Sequence, residues 1–297
     1  MNYGLPYMGS KNAIAEQVVA CIPRCGRIVD ACCGGGAITH AMAASGRFGA
    51  VVGCDINPAV IKLLDAVYIH KGQIDYDKPP LCSRNDFLNS IERIKNNSFD
   101  IVDCLNKYCA SFGNSGKNYI YGKEIEEYKL TAELMLTGRT LNDRRRAYSK
   151  FVKMVVQDEW QNRVQRIEEL QRIEELERLE RLERLERLER LSLFDVDYSK
   201  FDCAYFDIPY KNTAKYDFEF DYERFYDLFL SLPIPAFLSE YDAPFTLVAE
   251  FDKCSILGNN SKMIKGLEKL YFNGSKEKYK ELMGPEYQEK VEQMALF

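Results

Sequence analysis

The chain is 297 residues long, 46% hydrophobic, and carries a formal net charge of −5. That length supplies one substantial core plus a smaller subdomain or large insertion, and no apolar run reaches the roughly 18–20 residues that a membrane span requires. The opening residues Met1 to Pro6 lack the basic-then-apolar order of a secretory signal, so the expectation is a soluble, cytoplasmic protein with no membrane partner. Ten cysteines at irregular spacings, with Cys32 and Cys33 adjacent and no C-x-x-C pair, read as reduced thiols. Only His40 and His70 are available as imidazoles, and neither lies near a cysteine pair, so no metal site is expected. The acidic total does not exclude nucleic acid, because binding needs only a local basic surface. Lys11, Lys107, Lys117, Lys123 and the run Arg144-Arg145-Arg146 with Lys150 and Lys153 are the cations available for one; an ordinary solvated role for them stays open.

In chain order, residues 25–70 alternate strand and helix. Arg27 to Asp30 predicts a strand, and a glycine-rich turn follows. Thr39 to Ala44, small and apolar, predicts a helix packed on a sheet. Ala50 to Asp55 predicts a second buried strand. Asn57-Pro58 supplies an N-cap and an N1 proline for a helix through about Ile69. Such βα units imply a mostly parallel sheet covered on both faces. Residues 86–160, rich in helix formers, tyrosine and charge, predict a helical subdomain inserted into the sheet domain. From Val164 to Leu191 an apolar residue falls at every third position, ending in a tandem Glu-Arg-Leu repeat. Glu177, Glu180, Glu183 and Glu186 each precede an arginine by four, the favourable order for helix ion pairs. A period of three drifts around a helix of 3.6 residues per turn, so no coiled-coil seam is sustained. The expectation for 161–192 is therefore a protruding, charge-laced helix. The sheet resumes with Cys203 to Phe206, ending in Asp207. A helix near Tyr222–Ser231 follows, with Phe225, Leu228 and Phe229 on one face. Ala236 to Ser239 and Thr246 to Ala249 read as two further strands. The sheet domain thus comprises 1–85 and 193–297.

Three motifs carry chemistry. Asp30-Ala31-Cys32-Cys33-Gly34-Gly35-Gly36 follows a strand, so its glycines allow a tight turn and close approach of a ligand. Thr39 occupies the position where a dinucleotide-binding loop has its third glycine, which counts against a nicotinamide or flavin dinucleotide. In Gly53-Cys54-Asp55-Ile56-Asn57, an acidic residue ends the second strand, where it suits ribose hydroxyls; a plain helix-capping role stays open. In Tyr205-Phe206-Asp207-Ile208-Pro209-Tyr210, a strand-end carboxylate precedes a rigid proline turn and an aromatic ring. Asp207 and the Ile208 carbonyl suit the two N–H groups of an exocyclic amine. Pro209 restricts Ile208 to an extended conformation, and Tyr210 suits stacking on a base turned out of a duplex. A surface turn after an edge strand is the bland alternative.

With these motifs the chain resembles the Dam-type (D12 class) DNA adenine-N6 methyltransferases, of phage or restriction-modification type. The resemblance also rests on Tyr7-Met8-Gly9-Ser10-Lys11, on Leu105-Asn106-Lys107 with Phe112-Gly113-Asn114 through Tyr121-Gly122, on Leu238-Ser239-Glu240-Tyr241 and on Leu267-Glu268-Lys269-Leu270. It implies an α/β, Rossmann-like, S-adenosylmethionine-dependent sheet domain with an inserted helical target-recognition subdomain. It implies S-adenosyl-L-methionine as methyl donor and an adenine in double-stranded DNA as acceptor, flipped out for reaction. The cofactor would be held by Tyr7, Lys11, Asp30, Gly34, Gly35, Gly36, Asp55, Asn57 and Asp197; Asp207, Ile208, Pro209 and Tyr210 would be catalytic; Lys107, Asn114 and Lys117 would contact DNA. A cognate restriction endonuclease, a monomeric state, association with the nucleoid during activity and a GATC target are expectations of the same resemblance. Two positions depart from the family pattern: Ile208 stands where the motif usually has its first proline, and Asp197 lies unusually close to Asp207. The Glu-Arg-Leu repeat has no counterpart. The competing readings are a methyltransferase acting on RNA or a protein amide, and a non-catalytic DNA-binding protein.

Overall fold

The structure, a computed structural model, describes residues 3–5, 7–70, 74, 82–112, 115–137, 140–155, 185–210, 220–257 and 262–285. It divides into two compact units, one of Met1–Gly4, Ser10–Ile61 and Leu182–Phe297, the other of Leu5–Gly9 and Lys62–Arg181. The described α-helices are α1 (Ala15–Ala20), α2 (Ala37–Ser45), α3 (Pro58–Tyr68), α4 (Arg84–Lys95), α5 (Ile101–Cys109), α6 (Glu126–Thr137), α7 (Leu141–Val155), α8 (Tyr222–Ser231) and α9 (Lys276–Met283). None is long and apolar enough to cross a membrane.

The first unit is built on a sheet with strands β1 (Cys25–Asp30), β2 (Phe48–Asp55), β3 (Leu185–Arg190), β4 (Cys203–Phe206), β5 (Ala236–Glu240), β6 (Thr246–Leu257) and β7 (Lys262–Phe272). Their order is β3-β2-β1-β4-β5-β7-β6. The first five run parallel, and β7 pairs antiparallel with both β5 and β6. Ile28, Val29, Val51, Val52 and all of β4 and β5 are buried, as parallel strands covered on both faces should be. From β1 the chain moves outward to β2 and β3, then returns to place β4 on the other side of β1. That reversal leaves a crevice at the carboxyl ends of β1 and β4, where ligands of open α/β sheets bind.

Local chemistry sets the element ends. Gly36 (φ 76°) starts α2 and Gly46 (φ 71°) ends it, both in the left-handed region. Asn57 Oδ1 accepts the Ala59 and Val60 amides at 3.1 and 3.5 Å, capping α3 as its Asn-Pro start predicts. Below the sheet, Phe206, Phe225 and Phe229 stack edge to face or tilted within 6 Å of one another, closing a core that includes Ile208 and Leu238.

The second unit is helical among its described residues. Capping boxes at Ser83/Asp86 and Asp100/Asp103 start α4 and α5. The buried Asp103 also accepts Ser90 Oγ at 2.8 Å and Arg93 Nε at 2.9 Å, tying the two helices together.

The repeat departs from its expected helix. Residues 161–184 lie outside the described residues, but Leu185–Arg190 forms the edge strand β3, parallel to β2. A three-residue period matches neither 3.6 nor 2, and helix ion pairs contribute only about 0.2–0.5 kcal/mol each, so tertiary contacts decide. Leu185 is buried. Leu188 lies over Gly53, where a Cβ would stand 2.7 Å from Leu188 Cδ2. Glu186 receives Arg27 Nε and Nη2 at 2.9 and 2.6 Å. The remaining charges protect an exposed edge from pairing with other chains.

Phe225 is fully buried among four other rings. Phe225→Ala should therefore lower unfolding free energy by about 3–5 kcal/mol, read from the urea midpoint at unchanged slope.

Candidate active site

The carboxyl ends of β1 and β4 meet in register, Asp30 opposite Tyr205, and the Ala31 amide donates to the Tyr205 carbonyl at 2.9 Å. The loop after β1 turns through Gly34 (φ 48°) and Gly36 (φ 76°), and Gly36 N closes on the Cys33 carbonyl at 2.7 Å. Asp55, at the end of β2, fixes this loop: its Oδ2 accepts the Gly34 amide at 2.9 Å and its Oδ1 the Asn57 amide at 2.8 Å. A carboxylate has about four lone-pair sites, so Asp55 keeps capacity for further donors. Burial raises its pKa above the ordinary carboxylate value, against the pull of those amides. Gly4 (φ 73°) presses on the loop so closely that a Cβ would stand 2.5 Å from Ala37 N and 2.6 Å from the Gly35 carbonyl. Its amide donates to His40 Nδ1 at 3.2 Å. Burial lowers the His40 pKa to about 4, which keeps that ring neutral and able to accept.

Asp30 is buried at 1% exposure. Thr39, the residue in the third-glycine position, donates its hydroxyl to Asp30 Oδ2 at 2.7 Å. Oδ1 is buried and has no hydrogen-bond partner among the described residues. Burial pushes the Asp30 pKa up to about 7, with Asp207 and Asp55 adding repulsion and the Thr39 hydroxyl opposing them. A buried carboxylate oxygen with no donor among the described residues is a place for one, and a cationic donor suits it best.

Asp207 follows β4. Lys11 Nζ, with its side chain 5% exposed, lies 2.8 Å from Asp207 Oδ1 and 3.8 Å from Glu268 Oε1. The same ammonium sits 4.5 Å from the centroid of the Tyr210 ring. The Tyr210 hydroxyl donates to Glu268 Oε2, and its ring meets Tyr241 edge-on at 4.6 Å. Burial, reinforced by Asp207 and Glu268, pushes the Tyr210 phenol well up, so it stays a protonated donor. The Tyr205 hydroxyl is held by Ser239 Oγ at 2.7 Å. The Ile208 side chain, 2% exposed, joins the apolar core. An isoleucine therefore stands in the proline's place without loss of packing, and the position is left to act through its backbone. The Pro209 carbonyl accepts the Tyr222 hydroxyl at 2.9 Å, bracing the turn.

In the first unit the structure thus groups Lys11, Asp207 and Tyr210 in one set of contacts and Gly34, Asp55 and Asn57 in another, with Asp30 feeling the charges of both Asp207 and Asp55. Asp197 is spent elsewhere: exposed, it caps the Tyr198–Lys200 turn through Ser199 N and pairs with Lys200 at 3.1 Å. In the second unit, the Tyr7 ring lies 5.8 Å from that of Tyr108. Lys107 lays its stem over Gly116 (φ 64°), and Lys117 is exposed; Asn114 lies outside the described residues. Glu268 belongs to the site although its residue type in a strand predicts solvent. Ile56, 56% exposed beside Asp55, offers an apolar surface that the sequence did not single out.

The family model for D12 class N6 adenine-specific DNA methyltransferases matches residues 7–229. The chain belongs to this family. It is an adenine-specific DNA methyltransferase, and the matched span takes in the glycine loop, the Asp55 strand end and the Asp207 turn. No curated protein matches the chain. The methyltransferase's matched residues end before Glu240 and Glu268, which the fold adds through β5 and β7.

The raised Asp30 pKa has a signed consequence. Between about 4 and about 7 the folded protein holds a proton that the unfolded chain has released, so stability falls as pH rises through that window. Urea unfolding from pH 4 to 8 should show Asp30→Asn gaining on the wild type as pH rises, then running parallel above pH 8. A constant difference across the range would place the proton on another group.

Proposed function

We propose that this D12 methyltransferase moves a methyl group from S-adenosyl-L-methionine to N6 of an adenine turned out of duplex DNA, with Asp207 holding the amine. The observation that carries this is the adjacency of Asp207, fixed through one oxygen by Lys11, to Asp30, whose buried Oδ1 lacks a donor.

The residues fit the cofactor. Its α-ammonium would satisfy Asp30 Oδ1. The positive-φ glycines 34 and 36 let the loop backbone approach it, and Asp55 would accept the ribose hydroxyls while Ile56 covers the purine. Bound S-adenosylmethionine supplies an electrophilic methyl on a sulfonium. Asp207, held by Lys11 at 2.8 Å, orients the target amine: its carboxylate would accept one N6–H. The Ile208 carbonyl, which receives no donor among the described residues, would accept the other. Both acceptors localise the N6 lone pair, and holding it in line supplies much of the rate. Tyr210 and the Lys11 ammonium would line the acceptor pocket. Extruding the base costs a few kcal/mol of pairing and stacking.

For DNA contacts, Lys107 and Lys117 are joined by α7, which carries Arg144, Arg145, Arg146, Lys150 and Lys153 against one carboxylate, Asp143. All three arginines are exposed.

Purified protein, unmethylated genomic DNA and S-adenosylmethionine should yield N6-methyladenine within a short recurring sequence. Asp207→Ala should abolish it while cofactor affinity stays within a few fold. Methyl-free DNA from wild-type enzyme that binds the cofactor would refute the reading; equal loss of methylation and cofactor affinity in the variant would make Asp207 a cofactor residue. Separately, replacing Arg144, Arg145 and Arg146 by Gln should weaken binding to all sequences alike. It should also reduce the slope of log K against log salt by about 0.9 for each phosphate no longer neutralised. An unchanged slope would exclude α7 from the DNA-binding surface.

A further inference from the structure

Glu268 lies outside the matched family span. Along β7, Leu267 is 41% exposed while Glu268 is 1% exposed and Leu270 fully buried. Hydrophobic patterning alone would put the leucine inside and the glutamate out. Burying a carboxylate costs several kcal/mol unless it is paired and hydrogen-bonded, so its placement calls for a compensating role. Its two oxygens are divided between two site residues. Oε2 accepts the Tyr210 hydroxyl, and Oε1 faces the Lys11 ammonium at 3.8 Å, which in turn holds Asp207 at 2.8 Å.

We propose that Glu268 is a positioning residue for methyl transfer: it shares the Lys11 charge with Asp207 and thereby keeps the acceptor side of the site electronegative. This rests on the assignment of Asp207 to the target amine. During transfer the N6 lone pair forms the N–CH3 bond while the C–S electron pair returns to sulfur. Positive charge thus passes from sulfonium to N6, until a proton leaves N6 for the Asp207 carboxylate and then solvent. If Lys11 faced Asp207 alone, the pair would be neutral and Asp207 a weaker acceptor. With Glu268 the Lys11, Asp207 and Glu268 set carries a net negative charge beside the nitrogen where positive charge develops, the arrangement that stabilises such a transition state. Glu268 also fixes the Tyr210 ring, against whose face the lysine rests.

Glu268→Gln separates these roles, because its amide oxygen still accepts the Tyr210 hydroxyl while the charge is gone. In single-turnover methylation with saturating DNA, the methyl-transfer rate should fall by about tenfold to a hundredfold. The calorimetric Kd for S-adenosylmethionine, the KM for DNA and the melting temperature should stay close to wild type. Tyr210→Phe should lose less than Glu268→Gln, since the carboxylate still faces Lys11. Lys11→Met combined with Glu268→Gln should be no slower than Lys11→Met alone, since Glu268 acts through the lysine. A full rate in Glu268→Gln overturns the proposal, as does a loss shared equally by rate, cofactor affinity and melting temperature. Inactivity of Asp207→Ala beside a fully active Glu268→Gln would sink this inference alone, whereas an active Asp207→Ala would sink the reading beneath it.

Discussion

A lysine ammonium taken out of water must be paired, and Lys11 is 4% exposed. Its partners come from elements far apart in sequence: Asp207 follows β4, Glu268 lies on β7, and the Tyr210 ring lies between them. The N-terminal segment, the centre of the sheet and its antiparallel edge are thus tied to one charge. Removing Lys11 would leave two carboxylates without their shared cation, at a cost of about 3–5 kcal/mol, whereas neutralising Glu268 leaves Lys11 paired with Asp207. The same requirement that holds these elements together sets the orientation of Asp207, so stability and chemistry share one interaction.

The strand order makes that possible. Because β1 and β4 are neighbours that lead to opposite halves of the sheet, their carboxyl ends bring Asp207 close enough to Asp30 to raise the cost of ionising Asp30. The fold tolerates a carboxyl near its titration point at Asp30 because the Thr39 hydroxyl satisfies one oxygen. The other oxygen has no donor among the described residues.

What could be read from sequence follows the same division. Strands β1, β2, β4 and β5 were legible because parallel strands covered on both faces are continuous apolar runs, and the α3 start because asparagine and proline act locally. Asp207 was legible because a carboxylate, a proline and a ring at fixed spacing are rare together. Leu185–Arg190 was not: Glu-Arg-Leu satisfies local helix rules, and only Gly53, Arg27 and the open side of β2 make it a strand. The part played by Glu268 was hidden because its partners, Lys11 and Tyr210, are 257 and 58 residues away in sequence, so no local pattern distinguishes a buried strand glutamate from a solvated one. Asp197 shows the opposite case: an acid near the Asp207 turn draws notice in sequence, and in the fold it caps its own turn and pairs with Lys200.

The two units differ in the charges they carry. Asp30, Asp55, Asp207 and Glu268 outnumber Lys11 in the sheet unit, which suits a cofactor carrying a sulfonium and an ammonium. In the second unit, α7 carries five cations against a single acid of its own, one of them, Lys150, paired with Glu127 at 2.7 Å. A chain with net charge −5 can therefore act on DNA without contradiction. Long-range attraction to phosphate needs only a local exposed basic surface, of the kind α7 offers.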